Sequence, residues 1–125
     1  MQTLTKKFIL KNENKTYAIF AFNGTHQITI IIMSGKLKDV LTPALKLIPI
    51  FTNPFYMDKF FAKNKKFIEV NKNENYHKHV SLQNSYYLVP IEPSEIKNII
   101  ISQKESLNYL KEHINDSILL GAINS

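Results

Sequence analysis

The chain has no cysteine and no tryptophan, and only three glycines in 125 residues. Without cysteine there can be no disulfide, no thiolate nucleophile and no zinc centre of the cysteine type. Arginine is absent too, so all sixteen basic residues are lysine. The planar guanidinium fork is the preferred device for guanine edges and bidentate phosphate contacts. Its absence weighs against a reader of base sequence and leaves open a lysine-based binder of the nucleic-acid backbone. No apolar run approaches the length of a membrane span. Residues 1–15 lack the apolar core and small-residue cleavage site of a secretory leader. The expectation is a cytoplasmic protein without membrane contact. Gly24, Gly35 and Gly121 are too scattered for a phosphate-cradling loop. No P-loop, GxGxxG, GxSxG or HExxH pattern occurs.

What is present is a strong hairpin signal. In Thr16–Met33, Asn23-Gly24 separates two apolar runs rich in β-branched and aromatic residues. A two-residue loop pairs Phe22 with Thr25, Ile19 with Ile28 and Tyr17 with Ile30. Alternation then places Tyr17, Ile19, Ile28, Ile30 and Ile32 on one face. Ala18, Phe20, Phe22, Thr25, Gln27, Thr29 and Ile31 share the other. A hairpin apolar on both sides belongs inside a sheet rather than on its rim. Upstream, a turn at Glu13-Asn14 sets Leu10 opposite Tyr17 and Phe8 opposite Ile19, on the same apolar face. The pattern predicts a three-stranded antiparallel meander, Lys6–Lys11, Thr16–Phe22 and Thr25–Met33. The apolar set allows a slip of one residue at most.

Beyond Ser34-Gly35, Leu37, Val40, Leu41, Ala44, Leu45 and Ile48 recur at three and four, which predicts a helix over Lys36–Ile48. Pro43 either kinks it or begins a second short helix capped by Thr42. Asn53-Pro54 starts another helix over Phe55–Asn64. Strands follow at Lys66–Asn71, Val80–Leu82 and Tyr86–Ile91, with a polar loop over Asn71–His79. Glu92-Pro93-Ser94-Glu95 reads as a helix start. Ser102-Gln103-Lys104-Glu105 has the capping-box spacing, and its helix runs through Leu107, Leu110 and Ile114. Ser117–Ile123 docks either as an edge strand or as an apolar tail. The whole reads as one α+β domain over residues 1–125, an antiparallel meander with further strands packed against short helices.

Candidate chemistry is sparse. His77 and His79 in Tyr76-His77-Lys78-His79 would point the same way in a strand and could offer two metal positions or an acid–base pair. No partner ligand is placed beside them, and a polar loop holding two histidines is the plainer reading. The site expectation therefore has no catalytic residue, metal or cofactor. His113, in the last turn of a helix, suits a capping role. The charge is polar along the chain. Residues 59–91 carry six lysines against Glu69 and Glu74, net +4, while the C-terminal third has three lysines against five acids, net −2. Lys59, Lys63, Lys65, Lys66, Lys72 and Lys78, with Tyr76 among them, form the basic and aromatic mixture that single-strand or RNA binding uses.

Tyr87-Leu88-Val89-Pro90-Ile91, then Ser94-Glu95-Ile96, then Ser106-Leu107 resembles the ending of certain small uncharacterised bacterial accessory proteins, with a strand, a helix and a second helix. The resemblance covers about a quarter of the chain. It implies a bacterial or phage accessory protein that acts by binding, and brings no catalytic residue. The functional expectation is a non-enzymatic binding or regulatory module of antitoxin, immunity or anti-defence type, with a protein partner or a second copy of itself. Its contact face would be the mixed side of the hairpin, Phe20, Phe22, Thr25, Gln27 and Ile31. The alternative is a lysine-driven RNA or single-stranded DNA binder, and a third reading is a small-molecule or nucleotide-binding protein.

Overall fold

The computed structural model describes residues 4–25, 27–47, 59, 62 and 84–120. It is an α+β fold in which a four-stranded antiparallel sheet lies between two layers of short helices. The first element is α1, Lys6–Asn12, and not the expected strand over Lys6–Lys11. Thr5 decides the difference, because its side-chain oxygen accepts the Phe8 amide at 3.1 Å and caps a helix. The run Phe8-Ile9-Leu10 fits either period. As a helix it turns Phe8 and Ile9 toward the core beside buried Leu4, and leaves Leu10 71 % exposed.

Two strands follow, β1 (Thr16–Asn23) and β2 (Ile28–Lys36), antiparallel as expected. Their register is not the expected one. Phe22 faces Thr29 rather than Thr25, and Asn23 faces Ile28 across a four-residue loop. Asn23 is buried, and its side-chain oxygen accepts the Thr25 amide at 2.9 Å, an Asx turn instead of a type I′ turn. Gln27 supplies the positive φ, at 54°, and its side chain donates to the Gly24 carbonyl at 2.7 Å. The displacement of Phe22's partner is an even number of residues, so the side chains from Ile28 to Ile32 keep their faces. A bulge between Ile19 and Phe20 then leaves Ile32 without a ladder partner and sets Ile19 opposite Met33.

β1 is central, but its second neighbour is β3 (Asn84–Pro90), which takes the place expected for residues 6–11. The short β4 (Ile118–Leu119) pairs with β3, giving the order β2-β1-β3-β4. Of the two readings for the C-terminal run, Ile118–Leu119 takes the strand, and residues 121–123 lie outside the described residues.

α2 (Leu37–Leu47) follows β2 without a loop. Its first two amides, Leu37 and Lys38, donate to the carbonyls of Lys15 and Glu13, each at 3.0 Å, so the turn after α1 caps it. Pro43 stays inside this single helix. The Asp39 carbonyl loses a donor there, on an exposed face open to water. Leu37, Val40, Leu41 and Ala44 pack with Tyr17, Ile19, Ala21, Ile30, Ile32 and Leu88 under α1 and α2.

The opposite face is covered by the C-terminal segment. A 3-10 turn, Pro93–Glu95, leads into α3 (Ile96–Ile99) and α4 (Gln103–His113). The serine half of the capping box forms as read, with the Glu105 amide donating to the Ser102 hydroxyl at 3.2 Å. The Ser106 hydroxyl donates to the Ile99 carbonyl and joins the two helices. Ile99 and Leu110 bury against Ala18, Phe20, Ile31 and Val89. The Gln103 amide reaches β2, accepting the Thr29 amide at 2.9 Å and donating to the Thr29 carbonyl.

This packing corrects the expected contact face. Phe20 and Ile31 have no exposed surface, and Phe22 packs half-buried against the same cluster. The chain's own helices fill that side of the sheet, because Ile96, Ile99, Leu110 and Ile114 make a complementary apolar stripe. Of the five residues only Thr25 and Gln27 are exposed, in the hairpin loop.

Candidate functional site

With both sheet faces covered, a concave surface among the described residues lies at one end of the sheet, where β1 begins and β3 stops. Two adjoining hollows of about 520 and 470 Å³ share Lys15, Pro90 and His113. Together they form a groove running from α1 across the strand ends to α4. Volumes of this order suit a small ligand or a short stretch of a partner chain.

The groove is built from elements far apart in sequence. Pairing of β1 with β3 brings Tyr17 opposite Pro90, and the Ile91 amide donates to the Thr16 carbonyl at 3.2 Å. That junction places Lys15 next to Glu92. The 3-10 turn adds Glu95, and the end of α4 adds Tyr109 and His113. The second hollow takes Phe8, Lys11 and Asn12 from α1, and Asp116 from the 3-10 turn Ile114–Asp116.

An aromatic column runs from the core to this groove. The Phe20 ring stacks on Tyr109 with centroids 6.1 Å apart and planes 8° from parallel. Tyr109 stacks in turn on His113 at 4.0 Å. The Tyr109 hydroxyl donates to the Pro90 carbonyl at 2.9 Å, and His113 Nδ1 donates to the Tyr109 carbonyl at 2.9 Å. In the neutral imidazole Nε2 is then the acceptor. Burial, then the charge of Glu95 and its hydrogen bond, then Glu92 and Glu112, push the Tyr109 pKa up to about 12. Tyr109 is therefore a neutral donor at ordinary pH, not a phenolate base or nucleophile. Beside it, the Lys15 ammonium sits 5.8 Å from the centre of the Tyr17 ring, and Phe8 meets that ring edge-on at 6.2 Å. Burial raises the Tyr17 pKa as well.

The groove thus carries Glu92 and Glu95 toward one end, Lys11 and Asp116 toward the other, and Lys15 between them, over a braced aromatic floor. Such a lining presents charges of both signs around a fixed aromatic surface. Among the described residues, no three His, Asp or Glu side chains come together to hold a metal.

The residues singled out from the sequence lie elsewhere. Lys59 is helical and exposed. Lys63, Lys65, Lys66, Lys72, Lys78, Tyr76, His77 and His79 lie outside the described residues, as do the strands expected at Lys66–Asn71 and Val80–Leu82. The groove residues Lys11, Lys15, Glu92, Glu95, Tyr109 and Asp116 were not anticipated. The one available signal was Tyr109 and His113 at a spacing of four, which places two ring systems on one helix face. His113 keeps its expected place in the last turn of α4. Among the described residues no helix is long and apolar enough to cross a membrane.

No family model, no curated protein and no solved structure matches the chain. The C-terminal resemblance rests on the residues quoted for it.

Proposed function

We propose that the protein is a non-enzymatic binding and regulatory module of bacterial or phage type, of the antitoxin, immunity or anti-defence kind, and that the groove at the sheet end holds a segment of a protein partner. The observation that carries this reading is the mixed lining of Lys11 and Lys15 with Glu92, Glu95 and Asp116 around Pro90 and the Tyr109–His113 stack. A polypeptide offers side chains of both signs and backbone donors and acceptors to meet such a lining. A nucleic-acid backbone would be repelled by Glu92, Glu95 and Asp116. The aromatic floor is fixed by hydrogen bonds to backbone carbonyls, so little ordering remains when a partner binds.

The test is affinity capture from a native lysate followed by calorimetry with the captured protein. Lys15→Glu and Glu95→Lys are expected to weaken binding at least tenfold, on the order of 1.4 kcal/mol each. Lys104→Glu, exposed on α4 and not part of the groove lining, is expected to leave it unchanged. Equal binding by all three variants would remove the groove from the interface. Capture of nothing, by a chain that light scattering shows to be monomeric, would end the reading.

A further inference from the structure

We propose a second binding surface, the outer face of α1 and the start of α2, which adjoins the groove through Lys11 and Lys15 and takes the phosphate backbone of nucleic acid without reading its sequence. The observation behind it is the distribution of charge between layers. Residues 4–15 and 36–47 carry seven lysines against Glu13 and Asp39, net +5. Residues 91–117, on the other side of the sheet, carry three lysines against five acids, net −2. The described strand residues between the layers, 16–25, 27–35, 84–90 and 118–120, carry no formal charge. Among the described residues the two layers therefore carry opposite net charge.

Backbone contacts gather the cations. The Lys38 amide bonds to the Glu13 carbonyl, the Leu37 amide to the Lys15 carbonyl, and Lys36 stands opposite Thr16 in the ladder. Lys15, Lys36 and Lys38 therefore share one corner, with α1 beside it. On α1, helical geometry turns Phe8 and Ile9 inward, so Lys6, Lys7 and Lys11 surround the exposed Leu10 on the outer face. All six lysines are exposed.

The chemistry of this surface selects among polyanions. A membrane surface needs a broad apolar face to enter the headgroup layer, and Leu10 is the only large exposed apolar side chain on the described part of this layer. A protein interface needs an apolar centre depleted of charge, and here the centre is lysine. Phosphate asks only for cations at suitable spacing, which ammonium groups meet as point charges. The acidic layer on the far side repels the same strand, so binding has one orientation.

Fluorescence anisotropy with the full chain tests this, using a labelled oligodeoxythymidine and a mixed-sequence duplex as probes. Binding at low salt is expected with both. About five phosphate contacts on a single strand imply a roughly 100-fold loss of affinity between about 50 and 200 mM salt. The triple variant Lys6→Gln, Lys7→Gln, Lys38→Gln, which leaves the groove untouched, is expected to lose at least tenfold. Lys97→Gln, Lys104→Gln, Lys111→Gln makes the same change of net charge on the acidic layer and is expected to lose less than twofold. Circular dichroism checks that both variants are folded. Absence of binding at low salt, or equal losses from the two triples, overturns the proposal. So does competition by polyglutamate as effective as by unlabelled oligonucleotide, or binding to vesicles containing phosphatidylglycerol without binding to either oligonucleotide.

Discussion

Gln103 plays the part of a strand residue. Its side-chain amide offers one acceptor and one donor to Thr29, the pattern a neighbouring strand would present. Both Thr29 backbone groups are turned away from β1 and would otherwise be enclosed without a partner. Gln103→Ala is expected to destabilise the protein by about 1–3 kcal/mol, the usual penalty for stranding buried polar groups. Urea unfolding reads the loss, and the Thr29 amide should exchange faster with solvent. Tyr109 gives a second expectation at this scale. Its pKa near 12 lies above the ordinary value of 10, so the folded state holds the proton more tightly than the unfolded one. The contribution is fully present below pH 10 and falls as pH rises from 10 toward 12. In Tyr109→Phe that part of the alkaline loss of stability should disappear, and absorbance titration should lose a tyrosine step near pH 12.

At the scale of elements, the junction of β2 and α2 is the most constrained point. Gly35 has φ +156°, and a Cβ there would lie 3.1 Å from Val40 Cγ1. Gly35→Ala is expected to cost about 1–3 kcal/mol through strain and crowding together. Gly24→Ala, whose Cβ would meet only Phe22 at 3.6 Å, should stay within about 0.5 kcal/mol on the same denaturant curves. Elements of this kind differ in how far their residues announce them. α2 was legible because its apolar residues repeat at three and four over eleven residues. The cap of α4 was legible because Ser102 and Glu105 have one good use at that spacing. α1 was not, since three consecutive apolar residues satisfy both periods and one threonine settles the matter. The hairpin faces were legible and its register was not. Parity survives an even shift, while the turn depended on whether Asn23 would adopt positive φ or bond to Thr25.

For the molecule as a whole, the sheet is the shared wall of two cores, one under α1 and α2 and one under α3 and α4. Ile19 and Phe20, consecutive in β1, face opposite cores, so neither can loosen without disturbing the strand common to both. Leu37→Ala on one side and Leu110→Ala on the other are each expected to cost about 2–5 kcal/mol. Each should lower a single transition whose midpoint is the same by near-ultraviolet and far-ultraviolet dichroism. Two separated transitions would show that the layers unfold independently. The groove is also a property of this scale. Lys15 and Glu92 become neighbours only when β3 pairs with β1, and no local pattern in either segment records that meeting. The sequence could show which residues carry charge, but not which ends of which strands would bring opposite charges together.

The bulge in β2 has a consequence for the gene. Ile30, Ile31 and Ile32 are identical, so losing any one of their codons produces the same shortened chain. That chain can form a regular hairpin in which Thr29 still faces Phe22, the two remaining isoleucines face Ala21 and Phe20, and Met33 still faces Ile19. The expected cost is about that of one buried isoleucine, roughly 2–5 kcal/mol, within the stability of a typical domain. Loss of Ala21 from β1 has no such outlet, because that strand is paired on both sides and a one-residue slip reverses its faces in both ladders. Expression of the two deletions, compared by dichroism and thermal melting, should show the first folded and the second not. A replication slip in the isoleucine run is thus a mutation this protein can inherit.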